Sequence, residues 1–332
     1  MKRFYLLFYL LLCYVLVLIL KLKSEGAIIS DNCSACHVPY PGMMEEVALV
    51  KAKYKYLLDD SLCVECHSSS DNATIKIVGG VKVPIVYNKV PPEKPLAGGN
   101  FYYVTKSDRK GHNVGRIASM DKKFKGFPPG YDRETDQSII GYNPEKPLTC
   151  AGSNGCHGDR NIENPFESIR KSHHAKDRPI DGTTTAKSYR FLKGVKGYED
   201  EEWNQNASAK KHNEYTSDID KLCANCHGKF YKKDFLGKES PWFRHPVDIP
   251  LPDKGEYIKY LKYNPNAPVA RQKVFSSPSE EVKPGEDKVT CLSCHVAHGS
   301  HYDSILRWDY DNIYTHEGQK EGCLICHTGK QD

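Results

Sequence analysis

Apolar residues are thinly spread along this chain, and only a few stretches carry a recognisable period. Phe4 to Leu20 is an apolar run behind the basic Met1-Lys2-Arg3. Val47, Val50, Tyr54 and Leu57 recur at helical spacing and predict a short amphipathic helix leading into Cys63. Thr74 to Tyr87 alternates apolar and polar residues around Gly79-Gly80, the pattern of a β-hairpin. Pro91-Pro92 and Pro128-Pro129-Gly130 mark loops. Asn164-Pro165-Phe166-Glu167 is a helix start, with Asn as N-cap, Pro at the first helical position and Glu at the third. That helix is expected to end near His173-His174, with Asp181-Gly182 as the following turn. Elsewhere regular structure should be sparse. The fold class expected is mostly irregular and loop-rich, with short α-helices and one small β-hairpin.

What replaces the missing apolar core is written in the cysteines. Twelve of 13 fall in six pairs, each ending in histidine, and the thirteenth, Cys13, lies in the N-terminal run. Five pairs are Cys-x-x-Cys-His: Cys33-Cys36-His37, Cys63-Cys66-His67, Cys223-Cys226-His227, Cys291-Cys294-His295 and Cys323-Cys326-His327. The sixth, Cys150 and Cys156 before His157, is stretched by five intervening residues that include Gly152, Ser153, Asn154 and Gly155. Such a loop can bulge outward and still present both sulfurs. Cys-x-x-Cys-His is the attachment motif of c-type haem: two thiols add across the porphyrin vinyl groups and the next imidazole binds the iron. Disulfides give no reason for a histidine after every second cysteine, and structural zinc needs two knuckles per ion. Six covalently attached haems are therefore expected. At about one haem per 51 residues, and with a mean hydropathy of −0.61, the haem chain itself should form the core.

The N-terminus reads as a leader over residues 1–26, a signal peptide or an uncleaved anchor, with Ser24 and Gly26 at a suitable offset for cleavage. Residues 27–332 are expected to form one hexahaem domain: haems one and two within 27–70, a haem-poor β-containing segment over 71–145, haems three and four within 146–230, and haems five and six within 285–332. Motif starts 30 and 32 residues apart in the first and last groups suggest a repeated two-haem unit. The formal charge of +5 includes +3 from the leader, where Lys2, Arg3, Lys21 and Lys23 oppose Glu25. Haem propionates turn the remainder negative, to about −4 when oxidised. Nucleic acid is thus not an expected partner, and membrane contact is expected only if the leader stays uncleaved.

Eight histidines remain beyond the six motif ligands: His112, His173, His174, His212, His245, His298, His301 and His316. Bis-histidine iron at six sites needs six of them, so the chain can saturate every haem. A saturated iron has no open position for substrate and passes electrons only. His298, three residues beyond His295, would reach a neighbouring haem, and the adjacent His173 and His174 could serve two haems. His112, His212 and His245 stand in polar or Gly- and Pro-containing segments with no apolar reason to be there. Met43-Met44 offers a less favoured alternative ligand to the first haem.

Several stretches resemble exported multihaem cytochromes with doubled motifs from metal-reducing and related anaerobic bacteria. They are Leu96-Ala97-Gly98-Gly99-Asn100-Phe101, Lys110-Gly111-His112-Asn113-Val114, Gly155-Cys156-His157-Gly158, His173-His174, Ser188-Tyr189-Arg190-Phe191-Leu192, Arg244-His245-Pro246, Cys294-His295-Val296-Ala297-His298-Gly299 and Arg307-Trp308-Asp309-Tyr310. The resemblance implies bis-histidine haems in alternating stacked and T-shaped pairs, serving respiration across the cell envelope. It favours His112, His173, His174, His212, His245 and His298 as distal ligands and argues against His301. Some similar proteins polymerise into extracellular filaments, often with one ligand donated by the next subunit; the histidine supply here requires no donation and leaves a homopolymer open.

The function expected is electron transfer by a non-enzymatic hexahaem cytochrome, periplasmic or extracellular, in anaerobic respiration. Its partners would be redox proteins or an extracellular acceptor, with electrons passing in and out at the terminal haems, those of Cys33 and Cys326. The rival is a multihaem reductase of a small oxyanion with one open haem, which would need acid–base and cationic groups beside that iron.

Overall fold

A computed structural model describes residues 61–78, 80–124, 126–131, 142–174, 179–231, 245–313 and 321–331. The leader, the first motif with its His37, Met43-Met44, the helix expected around Val47 to Leu57, and His316 lie outside the described residues. Among the described residues no helix is long and apolar enough to cross a membrane.

Loops dominate, as the scarcity of periodic stretches demands. Every sheet among the described residues is two-stranded. The hairpin expected at residues 74–87 is present: β2 (Ile75–Val78) pairs antiparallel with β3 (Val81–Pro84), Val78 opposite Val81. It is flanked by a short parallel pair, β1 (Ser68–Ser69) with β4 (Tyr87–Asn88), which starts directly after the second motif. Buried Asn88 fixes this unit, because its amide donates to the carbonyls of Asp71 and Ala73 at 2.8 Å each, while Asn100 donates to its Oδ1 at 2.7 Å. A buried amide satisfied this way ties three loops where no apolar layer would.

The helices are short because most exist to present a motif. Ser61–His67 (α1) sets Cys63 and Cys66 three residues apart on one turn. Pro165–Ser168 (α2) begins as expected, Asn164 accepting from the amides of Phe166 at 2.9 Å and Glu167 at 3.1 Å. It does not run to His173-His174. The Ser168 carbonyl is taken by the Asp159 amide at 3.0 Å, and Lys171 turns to φ 65°, so the helix stops after one turn. His173 and His174 then fall on a separate 3₁₀ turn, Ser172–His174. Downstream, Asp218–Ala224 (α3) and Cys291–Cys294 (α4) introduce the fourth and fifth motifs, and a 3₁₀ turn over Gly322–Ile325 introduces the sixth.

Packing is split among small clusters. One gathers Leu251, Tyr260, Tyr263, Val269, Val282 and Ile325; a second gathers Tyr189, Leu192, Val195, Tyr215 and Ile219; a third gathers Phe101, Val104 and Val114. The segment Phe101-Tyr102-Tyr103-Val104 thus contributes Phe101 and Val104 to a core. Near the third cluster three backbone segments cross at glycines. Gly299 bridges to both Gly99 and Gly111, and a Cβ on Gly99 would lie 2.2 Å from the Gly299 carbonyl oxygen. Only glycine permits that approach. The crossing joins the loop after the fifth motif to residues 96–114, so His112 and His298 are backbone partners: the His112 amide donates to the His298 carbonyl at 3.1 Å.

Candidate functional site

Each fully described Cys-x-x-Cys-His turn from the fourth onward closes the same way, with the histidine amide donating to the carbonyl of the first cysteine. The distances are 3.0 Å for His227 to Cys223, 2.9 Å for His295 to Cys291 and 3.0 Å for His327 to Cys323. The stretched motif keeps this bond, His157 to Cys150 at 3.0 Å, and the five intervening residues, three more than in the short motif, loop out between. Asn154 pins the bulge by donating to the carbonyls of Asn143, Lys146 and Pro147 at 3.0–3.1 Å. A Cβ on Gly155 would sit 2.6 Å from the Ala151 amide nitrogen, so the bulge closes only with glycine there. The long spacing is thereby folded back into the local geometry of the short one.

Every described motif histidine also has its Nδ1 taken. His67 donates to the Pro84 carbonyl at 2.8 Å, His157 to Arg190 at 2.8 Å, His227 to Pro129 at 2.7 Å and His295 to Ser304 at 2.7 Å. His327 differs, donating to the Glu256 carboxylate at 2.7 Å. A ligating imidazole held through Nδ1–H presents the Nε2 lone pair to the metal. Two of the receiving loops share a device the sequence did not announce. Arg190-Phe191 and Ser304-Ile305 are consecutive non-glycine residues in the left-handed region, with φ of 51°, 59°, 57° and 59°. Each pair turns one carbonyl to the histidine and the next to the chain beside it, Phe191 O to the Gly158 amide and Ile305 O to the Val296 amide. Backbone strain of this sort costs on the order of 1–3 kcal/mol per residue and marks sites the surroundings hold in place.

Four of these histidines face a second imidazole. The ring centroids of His67 and His173 are 6.4 Å apart, those of His157 and His298 6.3 Å, those of His227 and His112 6.1 Å, and those of His327 and His245 6.1 Å. A metal bonded to both Nε2 atoms at about 2.0 Å would place the centroids about 6.2 Å apart. The gaps therefore have the width of one iron atom, and the residues present fit haem ligated from both faces. Burial lowers the pKa of His67, His112 and His157 and drives His227 down to about 4 and His298 down to about 3. Neutral imidazole is the form that binds iron.

The other expected ligands stand differently. For His295 no facing imidazole is found among the described side chains. The His174 side chain is outside the described set. His212 is fully buried, stacked on Tyr263 with centroids 3.5 Å apart, and its Nε2 lies 3.4 Å from Glu214. That packing sets its Nε2 against Glu214, and none of the described motif histidines makes a ring contact with it. His301 packs on Tyr103 and Tyr302.

Sulfurs of different motifs are close neighbours. Cys223 beside Cys291, together with burial, raises the Cys291 pKa. Cys156 is pushed up to about 12 by burial with Cys226 and Cys223 nearby, and Cys294 to about 11 by burial beside Cys323. The third, fourth, fifth and sixth motifs thus adjoin in sequence order, while the second meets the third through His67 and His157. Structural zinc would require converging donors, and among the described residues no group of three or more His, Cys, Asp or Glu side chains is so arranged. A cleft of about 1290 Å³, lined by Arg190, Glu199, Asp200, Trp203, Arg271 and Phe275, contains none of the motif residues and meets this site at Arg190, whose carbonyl accepts from His157.

Residues 283–332, holding the fifth and sixth motifs, match the family described as Doubled CXXCH motif, the pattern of multihaem c-type cytochromes. No curated protein matches the chain. Among solved structures the chain is similar to the outer membrane cytochrome S filament from Geobacter sulfurreducens, at 16% identity over 77% of this chain and 76% of that one, with a TM-score of 0.43. It is also similar to the OmcS nanowires from Geobacter sulfurreducens seen by cryo-EM, at 19% identity over 77% and 76%, with a TM-score of 0.46.

Proposed function

We propose that the chain is an exported hexahaem c-type cytochrome that conducts electrons along a row of bis-histidine haems, in the periplasm or outside the cell. The observation that carries this reading is the recurrence, at four motifs, of two imidazoles separated by the width of one ligated iron. Bound haem supplies one-electron exchange between ferric and ferrous iron. The chain's own residues do the rest. Twelve cysteines anchor the rings; His67 with His173, His157 with His298, His227 with His112 and His327 with His245 close both faces of four irons. His37 and His295 are the motif histidines left to be matched, with His174 and His212 the expected distal ligands still to be assigned to them. Cysteines of successive motifs from the third to the sixth lie near one another, which supports a conduction order following the sequence. A second reading, a reductase of a small oxyanion, rests on His295, which faces no described imidazole.

An absorption spectrum of the dithionite-reduced protein with and without carbon monoxide separates the two. No change means every iron is doubly ligated and supports conduction. A change in about one haem of six places an open iron, and replacing His295 by alanine then identifies which.

A further inference from the structure

Of the five described motif histidines, four give their Nδ1–H to a main-chain carbonyl and one gives it to a carboxylate. That one is His327, whose acceptor is Glu256 Oε1 at 2.7 Å. The contact is built rather than incidental. Glu256 lies on the 3₁₀ turn Gly255–Tyr257, and its main-chain carbonyl takes the Thr328 hydroxyl. Gly329 lies against it so closely that a Cβ there would be 2.8 Å from Glu256 Cβ, and Tyr257 packs on the His327 ring with centroids 5.0 Å apart. Only about a quarter of either side chain is exposed.

An ionised acceptor pulls harder on the imidazole proton than an amide carbonyl does. The ring gains imidazolate character and donates more strongly to the metal, favouring ferric over ferrous iron. Ser304, the carbonyl acceptor for His295, does this more weakly at the adjoining motif. We propose that Glu256 is a positioning residue that makes the haem on Cys323 and Cys326 more reducing than its neighbour on Cys291 and Cys294. The pair then has a direction: electrons enter at the C-terminal motif and run downhill toward the fifth. The equilibrium shifted is Fe(III) plus one electron to Fe(II); the proton stays on Nδ1 throughout. This inference rests on the electron-transfer reading.

The geometry supplies a way to watch this one site. The His245 and His327 rings are mutually perpendicular, at 90°, whereas the other three pairs are at 39°, 47° and 59°. Perpendicular imidazoles leave two iron d-orbitals nearly degenerate, which gives the ferric site an EPR signal of large gmax. The experiment is a potentiometric titration of the full haem-loaded protein followed at that signal, in the unmodified chain and in Glu256→Gln and Glu256→Ala. The expected result is a low midpoint in the unmodified protein. In both variants the reduced-to-oxidised ratio at a fixed potential rises tenfold or more, equivalent to about 59 mV, while the other signals stay put. Unshifted midpoints in variants retaining all their haem overturn the proposal. So does a large-gmax signal titrating above all others in the unmodified protein, which needs no variant to fold. Carbon monoxide binding to the unmodified protein tests the conduction reading separately.

Discussion

Replacing Arg271 by methionine should destabilise the haem-loaded protein by about 3–5 kcal/mol. The guanidinium is 5% exposed and bonds Glu214 at 2.9 Å, Asp287 at 2.6 Å, and the carbonyls of Glu281 and Ser279 at 2.7 Å each. Each ion contact is worth about 6 kcal/mol of gross attraction at an effective dielectric near 20, most of it offset by desolvation. Methionine keeps the length and leaves two buried carboxylates without their cation, the situation that makes breaking a buried pair costly. Burial pushes Glu214 up, but the His212 ring, the Ser279 amide and Arg271 together hold it below its ordinary range; burial keeps Asp287 raised despite its partners. Without Arg271 both folded pKa values rise above the unfolded ones. The folded variant then gains stability as pH falls, so the gap to the unmodified protein should narrow from pH 8 to pH 5. Guanidinium chloride unfolding followed by Soret circular dichroism measures both. A loss below about 1 kcal/mol at pH 7, or a gap that widens in acid, would refute the reasoning.

Three further outcomes are expected. His173→Ala should open the iron above His67, so that carbon monoxide changes about one haem of six in the reduced spectrum; absence of any new carbon monoxide spectrum would break that pairing. Gly155→Val should prevent the bulge from closing, because its Cβ meets the Ala151 backbone at 2.6 Å, and mass spectrometry should then find protein one haem short. Asp220 is fully buried with its pKa raised to about 6 by burial, so it contributes stability below pH about 4 that is lost as pH rises through 6. Asp220→Asn, still able to accept from the Cys291 amide as Asp220 Oδ1 does at 2.7 Å, should flatten that dependence by about 1–3 kcal/mol in unfolding midpoints across pH 4–7.

Local rules found the local features. The hairpin followed from alternation broken by two glycines, and the Asn164 cap from its side-chain chemistry. The motifs were plain, and even the stretched one was readable as a bulge from Gly152 and Gly155. What stayed hidden depends on distant segments. Nothing near His67 says that His173 lies opposite, since the partner is brought there by the loop around Ser168 and the turn at Lys171. His212 reads as a ligand because it is a histidine in a polar stretch; the Glu214–Arg271–Asp287 network that buries it joins residues far apart. Glu256 was one acidic residue among 42. Its role comes from facing His327 across a turn, which no spacing encodes.

The contact between Cys223 and Cys291 also bears on how the molecule is made. With haem attached at both motifs, as proposed, the two sulfurs would belong to different thioethers and could not react with each other. In a chain not yet loaded they are free thiols held side by side, and an oxidising compartment would convert them to a disulfide linking the wrong motifs. On the proposed reading, cofactor attachment would have to come before this part of the chain closes, with the thiols kept reduced until then. Maturation of the protein is thus a race between ligation and collapse, and a chain that loses it is locked out of its own cofactors.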